Sequence, residues 1–321
     1  MKFRAHDTFA IRKGWLNKGL RNIENAPDVF ISKEKNPMDV LGIGANMVKS
    51  LRYWLQATGL TVEPNSGKRK QSLTSIGEII YNNDPYFEET GSLWLVHYGL
   101  ATNFEDATSW YLFFNEFQMQ EFSEDDFYKS LRKFITMQDS ETMPSSRAIS
   151  DDFKCIINTY YPGKRNSSDD IDPENNIECP LTELGLISYV TTTQGNRIYR
   201  KCTPKNENIP DLIALYAILK QIGEQKEVKI SVLQNSTNSI GKIFLLDTLS
   251  LLHILYQLEG AGYIKVVRTA GLDVIRILTD LTPEECVKQY YSEFCRFPES
   301  SGYAPEECVK QYYSELNGNQ R

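Results

Sequence analysis

The chain has 321 residues, 41% of them hydrophobic and 24% charged, with a formal net charge of −7. These values are typical of a globular protein of two or three domains with a sizeable core. No run of about 18 apolar residues predicts a membrane span, and the first 30 residues lack the pattern of a signal peptide. Membrane and secreted proteins are therefore excluded, and we expect a cytoplasmic protein.

Six cysteines are widely spaced and form no CxxC motif, which predicts free thiols in a reducing cytosol. Cys155, Cys179 and Cys202 follow one another at intervals of about twenty residues, a spacing that fits no zinc template. Buried structural thiols are therefore favoured over a metal site.

Positive charge is concentrated at the start of the chain. Residues 1–80 hold 13 Lys and Arg against 7 Asp and Glu, whereas the remainder holds 22 against 35. A basic N-terminal segment followed by an acidic remainder predicts that one face of the protein binds a polyanion and that another face contacts a different partner.

Residues 6–20, HDTFAIRKGWLNKGL, read as a short helix that contains two glycines, Gly14 and Gly19. Each glycine costs a helix about 1 kcal/mol relative to alanine. Because glycine lets another backbone approach closely, we expect this segment to make a close contact, either with DNA or with a neighbouring helical layer.

The same segment contains candidate catalytic residues beside candidate phosphate ligands. His6 or Asp7 would act as base or ligand, and the cations that would hold phosphate are Arg12, Lys13 and Lys18. In the alternative interpretation, Asp7 caps the helix and the cations are solvated or bind a nucleic-acid backbone without catalysis.

Residues 36–80 predict a helix over 37–41, a glycine turn, a longer helix over 45–58 and two short strands, 60–63 and 71–74. This order is typical of a winged helix. The second helix offers as DNA contacts Asn46, Lys49, Arg52 and Tyr53, and the tip of the hairpin offers Lys68, Arg69 and Lys70. Two alternatives stay open, because the helix face could be merely solvated and winged helices also mediate dimerisation.

The segment after the wing, NDPYFEETGSLWLVHY, contains Asp84, Glu88, Glu89 and His97. A metal site is conceivable here. We favour instead a helix that starts at Asp84-Pro85, with the two glutamates near its positive end.

The rest of the chain divides into four parts. We expect a helical middle over 81–161, a linker and small hairpin over 162–205, a second winged-helix-like module over 206–280 and a helical tail over 281–321. The long helix of the second module has a polar stripe without cations, which favours a protein interface or the core over a DNA groove. In the tail, PEECVKQYYSE occurs at 283–293 and again at 305–315, and we interpret the second copy as a frayed end. The predicted fold class is mainly α (α+β), with winged-helix modules at both ends of a helical middle.

Several phrases together carry a family resemblance: HDTFAIRKGWLNKGL, LGIGANMVKSLRYWLQATGL, NDPYFEETGSLWLVHY, TSWYLFFNEF and CPLTELGLI. In that order they resemble a bacterial family long of unknown function, encoded beside phosphosulfate-reductase-like proteins. One branch of that family is the SspB-like nicking component of single-strand DNA phosphorothioation systems. The resemblance covers roughly residues 3–280.

The resemblance implies a protein that binds double-stranded DNA and nicks it, with sulfur-transfer and desulfurase proteins as partners in the system. Mg²⁺ or Mn²⁺ is the expected cofactor of such a nicking endonuclease, and the residues define no metal ligands. A non-catalytic DNA-binding or adaptor subunit and a protein-binding scaffold remain as alternatives. A homodimer formed through the C-terminal module is a further expectation.

Overall fold

The computed structural model describes the chain over 1–64, 69–138, 143–161, 178–269 (without 192, 194 and 196) and 272–294. In these ranges the protein is mainly helical and contains three small antiparallel sheets. The predicted mainly α, α+β fold class is confirmed in this form.

The N-terminal unit follows the predicted order of helix, turn, helix and hairpin. Its elements are α1 (Trp15–Asn25), α2 (Pro37–Leu41), α3 (Ala45–Ala57), β1 (Thr61–Val62), β2 (Ser72–Leu73) and α4 (Ser75–Asn83). Asn36 caps α2 and Thr74 caps α4 through their side chains, because each accepts a hydrogen bond from a backbone N–H of the first turn. The winged-helix arrangement itself stays a prediction.

The first helix is shorter than predicted. It begins at Trp15, and residues 6–14 form two turns joined by an irregular segment instead, with Asp7 and Thr8 in the left-handed region at φ 50° and 70°. The residue before the helix is Gly14, which provides no side-chain cap. The helix predicted for residues 6–14 is therefore wrong, and so is the alternative in which Asp7 caps it.

The packing around Gly19 explains why a glycine stands at this position. A Cβ at this position would lie 2.5 Å from Cδ1 of Leu55, so α1 and α3 approach more closely than any larger residue permits. Of the two predicted contacts, the structure shows the one with a neighbouring helix.

The middle region is helical, as predicted. Its helices are α5 (Thr90–Thr102), α6 (Thr108–Asn115), α7 (Glu124–Met137) and α8 (Ser146–Tyr160). Ser123 begins α7 with a capping box, in which its hydroxyl accepts from the Asp126 N–H and the Asp126 carboxylate accepts from the Ser123 N–H. The predicted hairpin is β4 (Ile187–Thr191) with β5 (Arg197–Lys201), and β5 also pairs with β3 (Glu121–Phe122) of the middle region.

The C-terminal unit repeats the order of helices followed by a hairpin. Its elements are α9 (Asp211–Ile222), β6 (Glu227–Lys229), α10 (Ile230–Asn235), α11 (Ile240–Ile243), α12 (Thr248–Gly260), β7 (Ile264–Thr269), β8 (Leu272–Ile277) and α13 (Pro283–Phe294). The three strands form an antiparallel sheet in the order β6-β8-β7. The last helix packs against α9 and α4, so the end of the described chain returns to the N-terminal unit.

One continuous hydrophobic core joins all these parts. Its largest fully buried side chains include Trp54, Trp94 and Trp110. Among the described residues no single helix is long and apolar enough to cross a bilayer, although the bent pair Ile230–Ile243 and Thr248–Gly260, at 88°, passes by length and composition.

Candidate nucleic-acid interface

His6, the first predicted catalytic residue, lies inside the protein. Its ring is fully buried, and Nε2 is 2.8 Å from Oδ1 of Asp152 on α8. Nδ1 accepts a hydrogen bond from the Thr8 N–H at 3.0 Å, which leaves Nε2 as the donor to the carboxylate. The imidazole also stacks on Trp54, with 6.0 Å between ring centroids. Both ring nitrogens are therefore occupied, and a catalytic role for His6 stays a prediction that the geometry does not favour.

Asp152 is the centre of this buried network. It accepts hydrogen bonds from the Arg4 backbone N–H at 2.8 Å and from the Ser109 hydroxyl at 2.5 Å, in addition to His6. A buried carboxylate needs such donors because it has lost its hydration. The network fixes the first residues of the chain to α6 and α8.

Three of the remaining residues of the predicted phosphate site, Asp7, Arg12 and Lys13, precede α1. Asp7 is half-buried, and Lys13 is exposed. The half-buried Arg12 guanidinium lies over the rings of Phe9 and Trp15, at 5.5 and 5.3 Å from their centroids. It also reaches Met47 Sδ on α3, at 3.9 Å from Nη1. Arg12 thus connects the start of the chain to α3.

The four residues predicted as contacts on α3 divide into two pairs. Asn46 and Lys49, on the first turns, are exposed. Arg52 is engaged with Glu63 of the hairpin, at 2.9 Å from Nε to Oε2 and 2.6 Å from Nη2 to Oε1. Tyr53 packs against Trp54, with 5.0 Å between the two ring centroids. Only the beginning of α3 is therefore available to a ligand as it stands.

Burial is the main reason why the pKa of Tyr53 lies well above its ordinary value, and the nearby charge of Asp152 raises it further. The hydroxyl therefore stays protonated. Its role as a DNA contact stays a prediction that the packing does not favour.

The hairpin carries exposed positive charge. Arg69 and Lys70 are exposed, whereas Lys68 lies outside the described residues. On α1, Lys18 is half-buried. Within the described ranges, no carboxylate forms an ion pair with the exposed Lys13, Lys49, Arg69 and Lys70, and the same holds for three further exposed cations of this unit, Arg21, Lys33 and Lys35.

In the acidic segment after α4, the Asp84 carboxylate binds backbone N–H groups. Asp84 is buried and accepts from the N–H groups of Glu88 and Glu89, at 3.0 and 2.9 Å. The helix begins at Thr90, six residues after the predicted start. In the described part of the chain no three His, Cys, Asp or Glu side chains converge on a possible metal position. Because Asp84 is already engaged by two backbone N–H donors, the described residues of this segment form no evident Mg²⁺ or Mn²⁺ site.

His97 is also a packing residue. Its Nδ1 is 2.8 Å from the Tyr160 hydroxyl and its Nε2 is 2.8 Å from the Ile243 carbonyl oxygen. Burial lowers the pKa of His97 to about 4, so the ring is neutral near pH 7. It joins the middle region to the C-terminal unit.

A polar contact that the sequence did not reveal lies at the start of α5. The Tyr290 hydroxyl accepts from the Gly91 N–H at 3.1 Å, and the Tyr291 hydroxyl lies 2.6 Å from Oγ of Ser92. Ser92 in turn donates to Asp84 at 2.5 Å. The repeated phrase PEECVKQYYSE pointed to these tyrosines, but nothing in the sequence indicated their partners 199 residues away.

The sequence and the fold agree on a family. Residues 3–291 match the family model described as a protein of unknown function, DUF4007, and the chain therefore belongs to that family. The fold is that of SspB. A magnesium ion-bound SspB crystal structure matches 98% of this chain and 94% of its own, with a TM-score of 0.78 and 24% identity.

A second SspB crystal structure matches 98% of this chain and 95% of its own, with a TM-score of 0.78 and 23% identity. No curated protein matches the chain. The resemblance predicted from the sequence is confirmed for the family and the fold.

Proposed function

We propose that this protein is a DNA-binding component of a bacterial DNA phosphorothioation system and that it nicks the phosphodiester backbone. The observation that carries DNA binding is the set of exposed cations in the N-terminal unit with no carboxylate partner among the described residues. The fold shared with SspB over 98% of the chain supports the assignment to such a system.

In this proposal the N-terminal unit binds DNA as a winged helix does. Lys49 and Asn46, on the exposed first turns of α3, face the groove edge. Arg69 and Lys70, on the hairpin, contact the adjacent phosphates. Each cation that neutralises a phosphate releases condensed counterions, so affinity falls as salt rises.

The proposed nicking site comprises Asp7, Arg12 and Lys13. A water molecule attacks phosphorus and gives its proton to the Asp7 carboxylate, while one P–O ester bond breaks and the leaving oxygen takes a proton from solvent. Arg12 and Lys13 stabilise the charge that develops on the non-bridging oxygens. His6 is left out of this reaction because both of its ring nitrogens are already hydrogen-bonded.

The packing of the predicted catalytic residues favours a second candidate function. His6 is buried and the Arg12 guanidinium lies against two aromatic rings, as expected of a unit that binds DNA without cutting it. In this alternative the protein is an adaptor that brings sulfur-transfer and desulfurase proteins of the system to duplex DNA.

A plasmid assay separates the two candidates. Supercoiled plasmid incubated with the protein and Mg²⁺ or Mn²⁺ becomes open circle if the protein nicks. We expect Asp7→Ala and Arg12→Ala to abolish that conversion while retaining DNA binding. Conversion that persists in both variants would reject the proposed nicking site, and binding without conversion would establish the adaptor.

A salt titration tests DNA binding itself. We expect the variant with Lys49, Arg69 and Lys70 all changed to alanine to lower the magnitude of the slope of log K against log salt by about 3, close to 0.9 for each lost phosphate contact. The matched control changes three cations of the C-terminal hairpin, Lys265, Arg268 and Arg276, which already face carboxylates. An unchanged slope in the first variant would place DNA on another surface.

A further inference from the structure

The first copy of the repeated phrase fills a defined groove. Residues 283–293 form nearly all of α13, and the groove that receives them lies between α4, α9 and the first turn of α5. Four side chains of this copy are buried there, namely Cys286, Val287, Tyr290 and Tyr291.

The groove is shaped for the two tyrosines. A Cβ at Gly91 would overlap the Tyr290 ring, so glycine is required for that ring to sit against α5. The chain of hydrogen bonds from Tyr291 through Ser92 ends on the buried carboxylate of Asp84. Shape and polar pairing together make this a specific peptide site rather than a general apolar surface.

The second copy repeats every residue that fills the groove. Residues 305–315 are identical to 283–293, with Cys308, Val309, Tyr312 and Tyr313 in the corresponding positions. A groove that recognises the first copy through these side chains has the same side chains available to it in the second. We propose that residues 305–315 are a competing ligand for this groove within the same chain, and that the C-terminus exchanges between two registers 22 residues apart.

Two features favour the first register. The Thr282 hydroxyl accepts from the Glu285 N–H at 3.2 Å, and the Thr282 N–H donates to Oε2 of Glu285 at 2.8 Å. The corresponding residue before the second copy is Ala304, which has no capping oxygen, a loss worth roughly fivefold. The connection from β8 also lengthens from 278–282 to 278–304, which costs about tenfold in loop closure. The second register is therefore the minor one, roughly one molecule in fifty.

Removing the tyrosines of the first copy reverses this preference. In full-length protein with Tyr290→Ala and Tyr291→Ala, only the second copy retains the groove contacts. We expect maleimide labelling with peptide mass mapping to find Cys286, buried in the parent protein, now reactive, and Cys308 protected. The matched control, Tyr312→Ala with Tyr313→Ala, leaves Cys286 protected and the unfolding midpoint unchanged.

The variant with all four tyrosines changed to alanine completes the test. We expect both cysteines to react and the unfolding midpoint to fall well below that of Tyr290→Ala with Tyr291→Ala. Equal midpoints, equal labelling of Cys308 in these two variants, or failure of the first of them to fold would overturn the exchange. Protection that depends on protein concentration, with a doubled mass, would mean binding to a neighbouring chain and would also overturn it.

A deletion provides an independent check. Removing residues 283–304 joins Thr282 directly to Pro305, so that the second copy follows its cap and the short connection of the first. We expect this variant to keep the parent midpoint and a protected Cys308. A large drop in the midpoint would show that the second copy does not fit the groove.

Discussion

The N-terminal and C-terminal units can be compared element by element. In the first, α3 is buried or half-buried from Ser50 onward, and the hairpin strands have two residues each. In the second, α12 exposes Leu249 and Tyr256, at 78% and 48%, and its hairpin strands have six residues each. Both units expose some apolar side chains, since Val62 of the first hairpin is itself 53% exposed, so the difference between the units lies in hairpin length and in charge.

The two hairpins also differ in whether their cations are paired with carboxylates. In the C-terminal hairpin, Lys265 lies 2.9 Å from Glu259, Arg268 lies 3.2 Å from Asp273, and Arg276 pairs with Glu227. In the N-terminal hairpin, no such partner exists among the described residues for Arg69 and Lys70. Ion pairing, rather than element order, thus decides which hairpin can offer its cations to a phosphate backbone.

The attachment of the N-terminal unit gives the largest expected effect. We expect Asp152→Ala to lower the free energy of unfolding by about 3 kcal/mol, because His6, Ser109 and the Arg4 N–H lose a buried acceptor. Chemical denaturation measures it. The control is Asp151→Ala, which breaks more exposed ion pairs and should cost less than about 1 kcal/mol. Equal losses in the two variants would mean that the buried network contributes no more to the free energy of unfolding than the exposed ion pairs do.

Helix packing gives the next effect. Gly19→Ala places a Cβ against Leu55, and we expect a loss of about 1–3 kcal/mol from overpacking. Gly260→Ala, at the end of α12, meets nothing within 4 Å and should be neutral or stabilise by about 0.5 kcal/mol. Thermal unfolding of both variants measures the difference, and a Gly19→Ala variant as stable as Gly260→Ala would contradict the close packing of α1 on α3.

Two lysines donate to carbonyl oxygens of the middle region, Lys201 from β5 of the small hairpin and Lys242 from α11 of the C-terminal unit, and the first makes stability sensitive to pH. Lys201 donates from Nζ to the carbonyl oxygens of Phe113 and Phe117, and Lys242 donates to that of Asn115 at 2.6 Å. Burial, with a smaller contribution from Lys242, lowers the pKa of Lys201 to about 7.

Between about pH 7 and 10.5 the unfolded chain keeps a proton that the folded chain has released, so stability rises with pH in this window. We expect a slope that approaches about 1.4 kcal/mol per pH unit. Lys201→Met should flatten it, as urea titrations at several pH values would show. A slope that survives the substitution would have to come from other groups.

The exposed face of α12 gives the smallest effect on stability. Because Leu249 is 78% exposed, we expect Leu249→Glu to change the free energy of unfolding by less than about 0.5 kcal/mol and to leave DNA binding unchanged. If the protein self-associates through this face, the same change produces monomers in analytical ultracentrifugation. A weakened DNA affinity would instead show that the two units do not divide these tasks.

The sequence was informative where the cause is local. The α2 bounds depend on neighbouring residues, Asn36 and Pro37 at the start and Gly42 at the end, and the predicted 37–41 is confirmed. The strands β3 and β6, of two and three residues, carry too few positions for an alternating pattern and were missed, whereas β1 and β2 were predicted from the turn between them.

The candidate site was predicted less well because its residues are determined by distant partners. His6 stands among cations in the sequence, yet its carboxylate partner is 146 residues away and removes it from the surface. Arg52 reads as a free helix cation, yet it is engaged by Glu63 across the hairpin. Lys49 and Lys70 are exposed and no such partner intervenes in the described chain, so their role as DNA contacts stays a prediction that the structure permits.

The buried hydrogen bond between residues 6 and 152 has a consequence for synthesis on the ribosome. Domains generally begin to fold as they emerge, from the N-terminus onward. The turns that carry Asp7, Arg12 and Lys13 cannot reach their final arrangement until α8 has left the exit tunnel, since Asp152 supplies the acceptor for His6 and for the Arg4 N–H. A nascent chain that stops short of α8 therefore presents the basic segment without the anchor that orients it.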